Sequence, residues 1–217
     1  MTMSVAERDA ALGEPYQTLE QQHATAEFGM WIFLATELML FGGLFTAYTV
    51  YRAIYSAGFA EGSHHLDLLY AGPNTAVLLL SSLTMALGVR AAQLGKQRAM
   101  VRYLVLTAAL GVIFMVIKGA EYAKHIHDGF LPGLAWSYAG PSAREVELFF
   151  VAYFLMTGLH AVHLVVAIGI VLVTALLASR GRFLPATRST PVEMVGLYWH
   201  FVDVIWTFLL PLLYLIR

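Results

Sequence analysis

Ionisable side chains occur singly or in pairs inside long apolar stretches of this sequence, where they could bind a metal, carry protons or join helices. His160 and His163 are three residues apart, as are His200 and Asp203, and Glu37 stands in a third apolar stretch. Residues three apart on a helix lie on one face. Each ionisable group placed in lipid costs about 2.5 to 3.5 kcal/mol on insertion scales, so these residues are candidates for function.

Three kinds of chemistry are open to these side chains. Two histidines from separate helices could ligate a haem axially, and a buried carboxyl group such as that of Glu37 could take up and release protons. The third possibility is hydrogen bonding between helices, with Asp203 as an acceptor for the buried histidines, together with contacts to lipid. Trp199 and Trp206 flank Asp203 at offsets of four and three residues. We therefore expect this polar and aromatic stripe to face protein.

Three histidine groups superficially resemble those of membrane di-iron enzymes, namely residues 64 and 65, 125 and 127, and 160 and 163. The first two groups fall between apolar stretches and the third lies in the middle of one, so they should not converge on one metal pair. We expect the histidines between the stretches to be solvated. The sequence has no cysteine, which excludes disulfides, iron–sulfur clusters and thiolate metal sites.

The elements that must position these residues are transmembrane helices. Of the 217 residues, 59% are apolar and 12% are charged, against about 45–50% and about 25% in soluble proteins. Five stretches are long enough to cross a hydrocarbon core of about 30 Å as helices, at approximately residues 28–51, 75–94, 101–122, 148–178 and 194–215. The predicted fold is all-α, a polytopic bundle of five transmembrane helices over residues 28–217. A cytoplasmic segment, residues 1–27, precedes it.

Charge predicts the orientation of the bundle and excludes one class of partner. Counted on alternate sides of the five stretches, eight Lys and Arg residues share the side of the N-terminus and five lie on the other. The positive-inside rule then places the N-terminus in the cytoplasm and the C-terminus outside. The net charge of −1 provides no basic surface for nucleic acid.

A second polar group lies near the outer end of the third stretch. Lys118, Glu121 and Tyr122 are within one helical turn of each other. Lys118 could pair with Glu121 or extend its ammonium group to the membrane surface. We expect this group to anchor the helix at the interface.

Five segments together resemble subunit III of the haem-copper terminal oxidases. They are GMWIFLATE at 29–37, NTAVLLLSS at 74–82, EY at 121–122, TGLHAVH at 157–163 and YWHFVDVIW at 198–206. The last two are the most specific, because a TGxHxxH helix followed about 35 residues later by a WHFVDxxW helix is hard to obtain from apolar composition alone. The long form of that family has seven spans, and this sequence is similar to the five-span bacterial type, which lacks two N-terminal helices.

The resemblance implies a subunit without redox chemistry or a cofactor of its own, in the inner membrane of a bacterium. It would pack beside the catalytic subunit I and subunit II, which hold the haem and copper, bind phospholipid, and support assembly, proton uptake and sustained turnover. Glu37 matches the intramembrane glutamate of the family. Glu37 and Asp203 are expected to act in proton supply or structure within the membrane. The interhelical or lipid-binding residues implied by the matching segments are His160, His163, His200, Trp199 and Glu121.

The resemblance leaves the type of partner open. The electron donor of the complex could be cytochrome c or a quinol, because other subunits recognise it. Accessory proteins of nitric oxide reductase share much of the same pattern, and Glu37 with the complete WHFVD run favours an oxygen-reducing oxidase. The rival from a different class is a small haem or di-iron membrane enzyme that uses His160, His163 and His200 as ligands.

Overall fold

The computed structural model describes residues 16, 18–133, 135–183 and 189–215. Five helices in it are long and apolar enough to cross a membrane, which confirms the predicted all-α bundle of five spans. The helices of the described residues are α1 (Leu19–Ile54), α2 (Ser56–His64), α3 (Leu68–Gln93), α4 (Gln97–His127), α5 (Ala143–Ser179) and α6 (Thr190–Tyr214). Of these, only the nine-residue α2 is too short to span, and hydropathy did not predict it.

Each long helix extends beyond the apolar stretch that predicted it. Helix α1 begins nine residues before residue 28, where the side chain of Thr18 caps it by accepting a hydrogen bond from the Gln21 amide at 3.1 Å. The predicted cytoplasmic segment therefore includes the first turns of α1, whereas residues 1–15 and 17 lie outside the described part of the chain. Helix α5 has 37 residues and a length of about 55 Å, well above the thickness of a hydrocarbon core.

Turn-forming residues in the sequence predict that residues 71–74 open the second span and that residues 131–133 break the connection between the third and fourth spans. Pro73 was expected to open the second span, but α3 begins at Leu68 and Pro73 lies inside it. The break at residues 131–133 is confirmed, and the structure adds a hairpin there, in which β1 (Phe130–Leu131) pairs antiparallel with β2 (Ala135–Trp136). Gly133 in this turn has a φ of 73°, a conformation that glycine adopts without strain.

Contacts between the helix ends define two sides of the bundle. On the side where α1 begins, called the N-side here, His23 contacts Thr190 and Gln93 contacts Glu193. On the opposite side, called the far side, the Ser63 hydroxyl of α2 donates to the Leu213 carbonyl of α6 at 2.8 Å. Successive long helices therefore run in opposite directions through the bundle.

Close packing around α6 fixes the centre of the bundle. Helix α4 lies between α3 and α5, and α6 packs against α3, α5 and α1. Gly111 of α4 makes room for the buried indole of Trp199, because a Cβ atom there would lie 2.8 Å from the ring. Most of the hydrophobic core and every candidate site residue except Glu37 belong to α4, α5 and α6.

Candidate functional site

Glu37 of α1 forms a hydrogen-bonded pair with His163 of α5. The Oε2 atom of Glu37 lies 2.8 Å from Nε2 of His163, and both side chains are largely buried, with 17% and 14% of their surface exposed. The ring of Phe41 packs edge-on against the imidazole at 5.1 Å. No Lys or Arg of the described residues forms an ion pair with Glu37, and its partner is this histidine.

The contacts of the two His163 ring nitrogens show where the Glu37–His163 pair must carry hydrogen. Its Nδ1 atom lies 2.8 Å from the carbonyl oxygen of Leu159. A carbonyl only accepts, so Nδ1 carries a hydrogen. The contact between Nε2 and Glu37 then needs one further proton, on either the imidazole or the carboxyl group. With that proton the pair is neutral overall, and without it the pair leaves a negative charge among apolar side chains.

His160 is not part of this pair, although it lies one turn from His163 on the same helix. Residues three apart differ by about 60° around a helix, which is enough to turn them towards different neighbours. His160 packs against Trp206 at 5.4 Å and Phe114 at 5.9 Å. It is 1% exposed, and neither ring nitrogen has a hydrogen-bond partner among the described residues.

His200 and Asp203 occupy the interface of α6 with α3. Nδ1 of His200 lies 2.8 Å from the hydroxyl of Ser82, and Ser82 also lies beside the carboxyl group of Asp203. Asp203 is 7% exposed, and its oxygens make no hydrogen bond within the described residues. The expectation that Asp203 accepts hydrogen bonds from the buried histidines is therefore wrong, since His160 has no partner and His163 bonds to Glu37.

The two tryptophans beside Asp203 hold α6 against α3. Nε1 of Trp199 donates to the Ser81 hydroxyl at 3.2 Å, and Nε1 of Trp206 donates to the Thr75 hydroxyl at 3.0 Å. Both indoles are at most 1% exposed. The stripe on α6 thus faces protein, and its tryptophans act as interhelical contacts.

Lys118 and Glu121 form a buried ion pair that joins three helices. Nζ of Lys118 donates to Glu121 Oε2 at 3.0 Å, to the Tyr153 hydroxyl of α5 at 3.0 Å and to the Tyr214 hydroxyl of α6 at 2.6 Å. Both tyrosines in turn donate to Glu121 Oε1. Pairing with Glu121 is confirmed, but Lys118 is only 2% exposed. The expected anchoring at the interface is wrong, because partners from α5 and α6 enclose the ammonium group.

The histidines between the predicted apolar stretches are divided between the core and the far side. His125 was expected in a solvated loop, yet it lies in the last turn of α4, is 1% exposed and stands 3.8 Å from Glu121. His65, in the connection after α2, packs against Phe130 with the ring centres 4.8 Å apart. Partial burial lowers the pKa of His65, and the neighbouring Glu61 opposes this shift.

The described residues contain no group of three or more His, Asp or Glu side chains placed to hold a metal ion. The three histidines that the haem and di-iron interpretations would use as ligands contact different neighbours. His163 bonds to Glu37 of α1, His200 bonds to Ser82 of α3, and His160 packs against aromatic rings. The site is therefore a set of separate polar contacts between helices.

Comparison with known proteins identifies the family. The family model for cytochrome c oxidase subunit III matches residues 7–216. Cytochrome c oxidase subunit 3 of Corynebacterium diphtheriae is 33% identical over 219 residues, which cover 100% of both chains. The protein of the same name from Synechocystis sp. is 34% identical over 87% of this chain and 75% of its own length. The probable cytochrome c oxidase subunit 3 of Mycobacterium leprae is 32% identical over 100% of both chains. With five spans and a match over nearly its whole length, this chain belongs to the cytochrome c oxidase subunit III family.

Proposed function

We propose that this chain is the non-catalytic third subunit of a haem-copper oxygen reductase in a bacterial inner membrane. The observation that carries the proposal is the family match over residues 7–216, which includes all five long helices. The full-length relatives from Corynebacterium and Mycobacterium bear the name of cytochrome c oxidase subunits, which favours cytochrome c as the electron donor of the complex.

The partners in this proposal are the catalytic subunit I, which holds the haem and copper, and subunit II. Several polar side chains join one helix to another, as in the Glu37–His163 pair and in the bonds of Tyr153 and Tyr214 to Lys118 of α4. This arrangement supports a role in assembly and in support of the catalytic subunit. These interhelical contacts do not favour the small haem or di-iron enzyme. The relatives are named as cytochrome c oxidase subunits, which does not favour the accessory protein of nitric oxide reductase.

Glu37 and His163 are proposed as the residues that supply protons. They share one proton across the α1–α5 interface, and both retain some exposure at a depth where no Lys or Arg of the described residues pairs with them. A partner that approached α1 would therefore meet a group able to give up or accept a proton without a large rearrangement. Asp203 is the second carboxyl group proposed for this role.

Phospholipid is proposed to bind along α1 and α6. A cavity of about 390 Å³ between these helices is lined by apolar side chains, with Trp31 and Leu38 from α1 and Phe201 and Phe208 from α6. Its apolar lining suits an acyl chain. His160, Trp199 and Glu121 are assigned to contacts between helices, because their surroundings are protein side chains.

The proposed orientation keeps the N-terminus in the cytoplasm. The eight Lys and Arg residues on the N-terminal side, against five on the other, support this assignment. The N-side of the bundle then faces the cytoplasm, and the hairpin of β1 and β2 lies outside.

Affinity purification tests the proposed function. A tagged copy of this chain is expected to bring down a larger haem-bearing and copper-bearing membrane subunit in a stable stoichiometry, with oxygen-reducing activity. The separated chain is expected to carry no haem, iron or copper by absorption spectroscopy and metal analysis. Stoichiometric haem or iron on the separated chain would instead support the rival enzyme.

A further inference from the structure

An interfacial cavity leads from the N-side of the bundle towards Asp203. It has a volume of about 440 Å³ and lies between α1, α3 and α6. Its polar lining residues include Glu27 of α1, Arg90 of α3 and Glu193 and His200 of α6. Glu193 lies in the first turn of α6 and His200 two turns further along, so the cavity carries polar surface about 10 Å into the bundle.

His200 lies at the inner end of this cavity with its two ring nitrogens in different surroundings. Nδ1 is engaged with the Ser82 hydroxyl at 2.8 Å. His200 is only half-buried and lines the cavity, and Nε2 makes no hydrogen bond within the described residues. An imidazole can accept a proton at one nitrogen and release one from the other. His200 is thus placed to connect the cavity with Ser82.

Asp203 is the next group in this direction. It lies one turn beyond His200, and the Ser82 side chain is beside its carboxyl group. Its oxygens have no hydrogen-bond partner among the described residues, and an ionised carboxylate without partners is costly in apolar surroundings. Asp203 is therefore protonated at rest, and its proton needs a route if it is to exchange.

We propose that His200 and Ser82 form a proton relay that connects Asp203 with the N-side cavity. When Asp203 is ionised, a proton binds Nε2 of His200 and Nδ1 passes its own proton to the Ser82 oxygen. In the same step the Ser82 hydroxyl, which makes no hydrogen bond to Asp203 at rest, turns towards the neighbouring carboxylate and gives its proton to it. The reverse sequence releases the Asp203 proton to the cavity. Each passage moves one proton, leaves the imidazole in its other tautomer and requires no oxidant or reductant.

The relay ends at Asp203, because the next polar side chain along α6 cannot pass a proton on. Trp206 lies one turn further, its Nε1 donates to the Thr75 hydroxyl at 3.0 Å, and an indole N–H only donates. The relay therefore exchanges protons with the N-side cavity.

Titratable side chains from each helix packed near this part of α6 have other partners or lie at the cavity mouth. Glu37 and His163 bond to each other, and Lys118 is paired with Glu121. Glu27 of α1, Arg90 of α3 and Glu193 of α6 line the cavity itself, and His23 of α1 contacts Thr190. His160 of α5 is enclosed by aromatic rings, and the residues of α2 lie at the far side.

Infrared spectroscopy of the assembled complex tests the relay, which extends the proton-supply role proposed for Asp203. The carbonyl stretch of the protonated Asp203 carboxyl group is identified as the band lost in Asp203→Asn. Its shift after transfer to heavy water reports proton exchange. We expect the Asp203 proton to exchange in the unaltered complex. In Ser82→Ala and His200→Gln we expect the exchange rate to fall by about 100-fold or more, because a positioned proton-transfer group contributes at least about that much.

The neighbouring Leu83→Ala is the matched control, since the Leu83 side chain is 56% exposed on the surface of α3. This control variant should leave the exchange rate unchanged. Ser82→Thr, which keeps a hydroxyl group, should exchange as fast as the unaltered complex, in contrast to Ser82→Ala. If His200→Gln prevents assembly, Ser82→Ala still decides the matter. Unchanged exchange in Ser82→Ala, or no carboxyl band lost in Asp203→Asn, would overturn the relay. Neither result bears on co-purification with a haem-bearing subunit, so the two proposals fail separately.

Discussion

The Glu37–His163 contact joins two residues 126 positions apart in the sequence, and no local pattern could have paired them. Hydropathy and helical spacing marked both as buried polar residues, but they also suggested Asp203 as the acceptor for histidine. Which partner a buried side chain finds depends on how each helix is rotated in the bundle. The spacing of His160 and His163 was read correctly as one helix turn, and the 60° between them decides that only His163 reaches α1.

Replacing Glu37 with Gln tests the proton role of this pair. Gln can still bond to His163 but does not titrate, so we expect normal assembly, a normal first turnover and a loss of activity during sustained turnover or proton uptake. Oxygen consumption over many turnovers measures this effect. Thr36→Val is the control, because the adjacent Thr36 hydroxyl bonds to the Phe33 carbonyl of its own helix. Loss of the first turnover in an assembled Glu37→Gln complex would place Glu37 in the oxygen chemistry and contradict the assignment.

Removal of the Lys118 charge should destabilise the bundle severely. In Lys118→Met, the Glu121 carboxylate and the two tyrosine hydroxyls stay buried without a cation. We expect the free energy of unfolding to fall by about 3–5 kcal/mol. Thermal unfolding of the detergent-solubilised protein measures it. The double variant Lys118→Met with Glu121→Gln should recover much of the loss, because it removes both charges.

Lys124→Met provides the surface comparison for Lys118. Lys124 is paired with Asp67 where both side chains are more than 40% exposed, and solvent screens such pairs. We expect little change in the unfolding temperature. Equal losses in the two lysine variants would show that burial does not set the strength of the Lys118 pair.

At the scale of the helices, the sequence predicted the number and order of spans better than their limits. Lipid-crossing segments must be apolar over about 20 residues, so all five were visible in the sequence. Their ends were not, because polar residues such as those at 19–27 continue a helix once it has emerged from the apolar region. The short α2 was missed for a related reason, since its sequence has neither the length nor the apolar content of a span.

Substitutions at two glycines of α4 should separate packing from helix propensity. In Gly111→Ala the new Cβ would lie 2.8 Å from the Trp199 ring and 3.0 Å from Ile168, so we expect destabilisation of about 1–3 kcal/mol from overpacking. Gly119 has no neighbouring atom within 4 Å of such a Cβ position, and Gly119→Ala should be neutral or slightly stabilising. Unfolding midpoints of the two variants give the comparison. A neutral Gly111→Ala would mean that α4 and α6 are less closely packed than described.

For the molecule as a whole, the polar contacts fall into two groups with different positions. The Lys118–Glu121 cluster, with Tyr153 and Tyr214, ties α4, α5 and α6 together in the core. The Glu37–His163 pair lies at the edge, where α1 meets α5. Helix α1 is the least buried of the five spans, so the edge that carries Glu37 is also the most open to lipid or a partner. Segment motifs made the family recognisable from the sequence, whereas this division became visible only once the helices were assembled.

The orientation of the whole bundle can be tested with reporter fusions at both termini. We expect an N-terminal reporter to be active in the cytoplasm and a C-terminal reporter to be active outside, because five spans place the termini on opposite sides. A fusion in the loop after α3, which has Lys96 within it and Arg90, Arg98 and Arg102 in the flanking helix ends, should behave like the N-terminus. A cytoplasmic C-terminal reporter would contradict this topology.

The most direct test of the central claim compares the purified oxidase complex before and after this chain is stripped from it by detergent. If the chain is a supporting subunit, the stripped complex should retain all of its haem and copper and its initial rate of oxygen reduction, and should lose activity sooner during continuous turnover. Adding the chain back should restore the longer lifetime. Loss of haem or copper with the chain, or complete loss of the first turnover in a complex that is otherwise intact, would contradict the claim.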